Sequence, residues 1–270
     1  TIFAAMGKAV GKTDKIGLVG SAILDHPDIA AICSHGTSNA CSLSFSSLRA
    51  DKLDDQMIDL LAASQVKTAT IAPEAGSERM RHIINKKMTL QDILQAVDKL
   101  VGKKILHLRL YFMIGLPFET HDDAAAIVTL TRQIKERFLT ASRKQQRMGT
   151  ITLRINPFIP KPGTPFQWAA MADDATLKHR AGIIVQGLKK TPNVTVNVAS
   201  VKTAKINALL SLGDRHTAEV LETACRHGWA RALKAHQAHL HQVVYTQKQM
   251  PGAAECGDSD TPAPPLPWHL

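Results

Sequence analysis

Thr68-Ala69-Thr70-Ile71-Ala72-Pro73-Glu74-Ala75-Gly76-Ser77-Glu78-Arg79 is the stretch that decides the fold. Its apolar, β-branched start reads as a strand over 68–72. A proline and a carboxylate stop that strand, and Ala-Gly-Ser follows where a helix should begin. In α/β folds such junctions build small-ligand sites, because strand ends aim backbone and side chains into one crevice. About forty residues on, Tyr111-Phe112-Met113-Ile114-Gly115-Leu116-Pro117-Phe118-Glu119-Thr120 repeats the construction. Two such junctions predict a barrel-like enzyme with a ligand across its strand tips.

Outward from this stretch, strands are expected over 15–19, 41–46, 68–72, 105–114, 150–156 and 194–198. Their spacing suits repeated βαβ units. Amphipathic helices fall between them, with Leu53, Met57, Leu60 and Leu61 on one face. Ile93, Val97, Leu100 and Val101 repeat the pattern, as do Ile127, Leu130, Ile134 and Phe138. Thr89 and Asp92 read as a helix start. The alternation predicts an α/β fold, a parallel sheet under helices, open or closed into a barrel. Beyond residue 200 helices are expected over 203–212, 214–227 and 229–244, broken at Gly213 and Gly228. The organisation read here is a partial barrel over 1–200, a helical extension over 201–245 and a disordered Pro-rich tail over 246–270.

The 270 residues are 44% apolar and carry a net charge of +10, which favours an anionic cofactor or a polyanion such as RNA. Aromatics are only 4%, thin for stacking on single strands. No apolar run is long enough for a membrane span, so a cytoplasmic protein is the expectation. Cys33, Cys41, Cys225 and Cys256 show no paired spacing and read as free thiols. No metal-ligating set is assigned to this chain. A start at Thr1 rather than Met suggests a processed product or a piece of something longer.

Several candidate residues admit two readings. Glu74 suits an ammonium or ribose hydroxyls, or pairs with a nearby arginine. Ser77 caps a helix or adds to a ligand site. Gly115 lets a ring lie against the backbone, or simply precedes a helix. Arg49 and Asp51 form a mutual ion pair or contact a ligand. Lys161, in the proline-locked loop 156–165, belongs to a lid or reaches the site. Gly20, Ser21 and Asp25 lack the third glycine of a dinucleotide fingerprint. His236, His239 and His241 line a surface helix or a metal site. An ordinary barrel enzyme holding phosphate near Gly163 or Ser200 also fits.

Taken together, Ser46-Ser47-Leu48-Arg49-Ala50-Asp51, 71–79 and Ile84-Asn85-Lys86 resemble the radical S-adenosylmethionine superfamily. So do 110–120 and 156–168. More narrowly, they resemble a bacterial branch often carrying an upstream cobalamin-binding-like domain, with relatives among methylthiotransferases. The resemblance implies a partial TIM-like (β/α)6 barrel lacking its first strand. It also implies S-adenosylmethionine and a 4Fe-4S cluster, with cobalamin an open question, and release of a 5′-deoxyadenosyl radical. Glu74 and Ser77 match positions that contact the ligand's ribose and amino-acid portion. Arg79 or Arg81 would meet its carboxylate, and Ser47 and Arg49 complete the cofactor set. Ile114 and Gly115 match backbone that pairs with adenine, and Pro157 and Phe158 flank it. Gly20, Ser21 and Asp25 fall where the ammonium is greeted, though the usual Gly-Gly-Glu is absent. The C-x3-C-x2-C run is also absent, so the cluster ligands are expected upstream. The alternative is an inactive, decayed barrel acting as a basic RNA- or protein-binding module.

Overall fold

Six strands form close to the expected runs: β1 (Lys15–Leu18), β2 (Ser42–Phe45), β3 (Thr68–Glu74), β4 (His107–Ile114), β5 (Thr150–Pro157) and β6 (Val194–Val198). The computed structural model describes residues 2–20 and 23–246. Strands β1 and β2 pair in parallel, from Lys15 opposite Ser42 to Leu18 opposite Phe45. Strands β3 to β6 lie side by side in sequence order. The β3–β4 pair is parallel from Thr68 opposite His107 to Ile71 opposite Leu110, then slips so that Glu74 faces Phe112. A parallel bridge from Leu48 to Ile71 adjoins β3. The fold is therefore α/β with parallel strands in sequential order, the order a partial (β/α)6 barrel requires. Ala69 to Pro73 are buried in succession, as expected of a parallel strand covered on both faces.

Two compact units divide the described residues. The first comprises Thr1–Phe112, Asp122–Ile155 and Ile184–Asn197. Helices α1 (Ile2–Ala9), α2 (Ile29–Ser38), α3 (Asp55–Ala63), α4 (Glu78–Ile83) and α5 (Leu90–Gly102) belong to it, as does most of α6 (His121–Gln145). Thr89 starts α5 with a full capping box: its hydroxyl accepts from Asp92 N at 3.1 Å, and its own N–H donates to Asp92 at 2.8 Å. Ile93, Val97, Leu100 and Val101 are buried below it. Each such side chain stabilises the fold by about 1.5–3 kcal/mol. On α3 the buried face is Met57, Ile58 and Leu61; Leu60, expected there, is only half-buried because Ile58 lies nearer the centre of the stripe.

Helix α2 is a regular ten-residue helix that ends at Ser38 and is capped by Asn39. Ile29, Ile32, Cys33 and Gly36 make its buried stripe at helical spacing. Gly36 is needed there, since a Cβ would stand 2.8 Å from Leu43 Cδ2. A tighter approach occurs at Gly76, where a Cβ would meet the α6 backbone at Ile127 N, 2.2 Å away.

The second unit comprises Met113–His121, Asn156–Ile183 and the described part of Val198–Leu270. It holds the first part of α7 (Asp174–Leu188), then α8 (Val201–Leu212), α9 (Thr217–His227), α10 (Trp229–Ala235) and α11 (Gln237–Leu240). Gly213 and Gly228 are the helix breaks expected of them. The single helix expected over 229–244 is instead broken at His236 and ends in a π-helix, His241–Tyr245. The wider turn keeps the adjacent Val243 and Val244 both buried, and Val244 O accepts from Met171 N at 2.9 Å. The tail expected over 246–270 lies, from 247 on, outside the described residues, as does Ser21.

Candidate functional site at the strand tips

Glu74 ends β3 with φ 67°, in the left-handed region. For a residue with a Cβ that conformation costs about 1–2 kcal/mol, and such strain concentrates at functional sites. Its carboxylate lies 3.6 Å from Lys86 Nζ, so the partner is a lysine and not the arginine considered above. Burial pushes the carboxyl above the ordinary range, while Lys86 pulls in the opposite direction.

Three residues on, Ser77 caps α4 by accepting from Met80 N at 3.1 Å. The same hydroxyl donates to Asp123 Oδ1 at 2.6 Å. Arg79, half-exposed, pairs with the other oxygen of Asp123. Asp123 is itself buried in the first turn of α6. One carboxylate thus brings Ser77 and Arg79 together. Arg81 is different. It is 2% exposed and donates to Met88 O (2.9 Å), Ala75 O (3.2 Å) and Gly76 O (2.9 Å). It fastens the turn behind Glu74, and a buried guanidinium so committed is not placed to meet a ligand carboxylate. Of the two arginines, only Arg79 is exposed.

Arg49 donates twice to Asp51, at 3.2 and 2.6 Å, and lies 3.8 Å from Asp25. The bond to Asp51 is the main reason its guanidinium is pushed upward. The mutual ion pair is therefore the reading realised, with Asp25 added to it. Gly20 exchanges hydrogen bonds with the Ser46 hydroxyl at 3.4 and 3.0 Å. Ser47 is half-buried next to it in sequence.

In the second unit, Ile114 O accepts from Phe158 N at 2.8 Å, joining two of the expected residues. Phe158 packs edge-on against Phe166, and Pro157 is buried. Gly115 has φ 79°, and its N–H donates to Glu119 Oε2 at 2.6 Å. A Cβ on Gly115 would meet Leu177 Cδ2 at 2.6 Å and Ala172 Cβ at 3.0 Å. Protein atoms, not a guest ring, fill the space its missing side chain leaves. Arg180 fixes Glu119 from α7, with NH1 to Oε2 at 2.6 Å and NH2 to the backbone oxygen at 2.5 Å. A cavity of about 720 Å³ adjoins this loop, lined by Gly115, Phe118, Met171, Asp174, Lys205 and Tyr245 among others. Asp174 accepts from Lys205 at 2.7 Å and from the Tyr245 hydroxyl at 3.1 Å. Burial, then Asp174, keeps that phenol protonated. Lys161 donates to Ser211 at 2.6 Å.

The three cysteines among the described residues do not fit an iron–sulfur cluster. Cys33 and Cys41 are buried and Cys225 is exposed; burial pushes the Cys33 thiol up, away from the thiolate a cluster needs. Among the described residues no three His, Cys, Asp or Glu side chains gather for a metal. His236 and His239 instead meet the hydroxyls of Thr223 and Thr217, at 2.9 and 3.3 Å. Among the described residues no helix is long and apolar enough to cross a membrane.

Sequence reasoning assigned no role to Asp123, Lys86 or Arg180, and quoted Glu119 without one. The only available signal was the acidic pair Asp122-Asp123 after Glu119-Thr120-His121, in a helix's first turn where carboxylates are favoured.

Residues 2–131 match the sequence model of the Radical SAM superfamily, and that stretch is a radical SAM superfamily domain. The family implies S-adenosylmethionine and a 4Fe-4S cluster as its cofactors. The chain is similar to an uncharacterized protein of Methanocaldococcus jannaschii, 33% identical over 216 residues, 80% of this chain and 45% of that protein. It thus spans about half the length of the curated relative it matches. Among solved structures, the agmatine-bound arginine decarboxylase of Paramecium bursaria Chlorella virus overlaps 73% of this chain and 60% of its own. That overlap, at 8% identity and a TM-score of 0.30, is too loose to bear on fold or function.

Proposed function

We propose that Glu74, Ser77 and Arg79 bind S-adenosylmethionine and that this chain is the core of a radical S-adenosylmethionine enzyme. The observation behind this reading is the Glu74 carboxylate, kept at a strand tip in a backbone conformation that disfavours it. Its one charged partner among the described residues sits at 3.6 Å, which leaves acceptor capacity for ribose hydroxyls. Arg79, half-exposed and braced by Asp123, suits the ligand's carboxylate. Asp25, with Arg49 and Asp51, offers a carboxylate for the ammonium. The residues present therefore fit the two polar ends of the molecule. When bound, S-adenosylmethionine would supply a 5′-deoxyadenosyl group for hydrogen abstraction, given one electron from a 4Fe-4S cluster. The protein residues bind and orient it. A C-x3-C-x2-C run is absent from these 270 residues, so cluster ligands would have to come from outside them.

Isothermal titration of S-adenosylmethionine into the chain tests the reading. A hydrogen bond to a charged group contributes about 1.5–3 kcal/mol, so Glu74→Ala and Arg79→Ala should each weaken binding at least about tenfold. Unchanged affinity in both variants would remove the proposal.

A further inference from the structure

We propose that a basic groove between α6 and the C-terminal end of α7 binds the sugar–phosphate backbone of a nucleic-acid duplex without reading its sequence. Two adjoining depressions, of about 410 and 320 Å³, share Arg132, Lys190 and Thr191. Lys189 lines the first, and Lys135 and Glu136 line the second. All these residues belong to the first unit. Four cations thus face one carboxylate.

What sets the groove apart is convergence, with Arg132, Lys135, Lys189 and Lys190 gathered around Glu136 alone. Elsewhere in this unit several cations are answered by acids: Lys99 by Asp55, Lys103 by Asp59, Arg137 by Asp98, Lys86 by Glu74. Lys135, Lys189 and Lys190 make no ion pair among the described residues. Arg132 donates to Gly187 O at 2.8 Å, a carbonyl that positions the guanidinium and leaves its charge. The floor is firm, because Gly187 lies so close to α6 that a Cβ would stand 2.7 Å from Val128 Cγ2. Lysines after a helix also complement its C-terminal carbonyls. That accounts for Lys189 and Lys190, but not for Arg132 and Lys135 meeting them from α6. The chain's +10 charge is therefore concentrated here as well as spread over the surface.

The chemistry favours phosphates over an acidic protein. Protein interfaces rest on desolvated aromatic and apolar anchors, and this groove offers only Leu139 and Pro192. Phosphate contacts need only positioned cations. No aromatic lines the groove, so there is no platform on which unpaired bases would stack. A duplex, which shows its phosphates and hides its base faces, is the occupant. This inference stands whether or not the strand tips bind S-adenosylmethionine.

Fluorescence anisotropy of the full chain tests it, with duplex RNA, duplex DNA and single-stranded RNA of about 20 nucleotides per strand, a length spanning several phosphate contacts. The test variant is Lys135→Gln/Lys189→Gln/Lys190→Gln. The control, Lys8→Gln/Lys12→Gln/Lys15→Gln, removes the same charge from exposed positions elsewhere in the unit. Each phosphate contact contributes about 0.9 to the slope of log K against log salt, so the test variant should flatten it by about 2–3. Affinity at low salt should fall at least about thirtyfold, with the control within about threefold of the parent. Binding of either duplex counts for the proposal, and the RNA and DNA arms tell which backbone is preferred. Equal losses in test and control, tighter binding to the single strand, or equal binding of polyglutamate would overturn it. So would a parent chain that binds neither duplex. Circular dichroism confirms that the variants fold.

Discussion

Replacing Glu74 by Asn should make the protein more stable while weakening its ligand site. The left-handed backbone at Glu74 costs about 1–2 kcal/mol for an ordinary side chain, and Asn tolerates it with much of that cost removed. Losing a partly buried methylene offsets roughly 0.5 kcal/mol. The Lys86 pair does not oppose the gain at neutral pH. The carboxyl is shifted upward despite that lysine, so its ionised form is on balance unwelcome in the folded state. We therefore expect Glu74→Asn to gain about 1 kcal/mol, or about 2–4 °C in melting temperature for a chain of this size. The pH dependence follows from the direction of the shift. A carboxyl whose folded pKa is raised binds its proton more tightly when folded. Its stabilising contribution is therefore full below the unfolded value and is lost as pH rises through the folded one. The advantage of Glu74→Asn should be smallest below the ordinary glutamate range and grow as pH rises above it. Urea denaturation across that range, with titration of S-adenosylmethionine on the same samples, reads both effects. A variant destabilised by more than about 1 kcal/mol, or one whose advantage shrinks as pH rises, refutes the reasoning.

Three further substitutions probe the packing. Gly76→Ala drives a Cβ to 2.2 Å from Ile127 N, where no rotamer can yield, and should cost about 3 kcal/mol or more by denaturant unfolding. Gly182→Ala, in α7 with open space at its Cβ, should gain about 0.5–1 kcal/mol; equal effects at the two sites would contradict the packing described. Arg81→Lys keeps the charge but cannot span three carbonyls with one ammonium, so a loss of about 2–4 kcal/mol is expected in thermal melts. A wild-type melting temperature for Arg81→Lys would show that the turn holds without its fork.

The strands were legible because short apolar runs, several of them β-branched, lie between amphipathic stretches, and all six appeared within a few residues of their expected bounds. The faces of α5 and α6 followed from simple periodicity, as did the caps at Thr89 and Ser77. What sequence did not give is whatever depends on distant partners. Asp123 lies 46 residues from Ser77, and Arg180 lies 61 from Glu119. Nothing local distinguishes Arg81 from Arg79, two residues apart; only the fold sends one inward to three carbonyls and the other outward. The left-handed turn at Glu74 was equally hidden, since a glutamate carries no expectation of it. At Gly115, nothing local foretold that Leu177 and Ala172 would take the space its missing side chain leaves.

Asp123 serves two clients with its two oxygens, Ser77 through one and Arg79 through the other. Because it rides on the opening turn of α6, any tilt of that helix drags both side chains in concert. The pair is geared together, and neither can be retuned by drift at its own position without disturbing the other. A lineage that abandoned this aspartate would have to reinvent both supports at once.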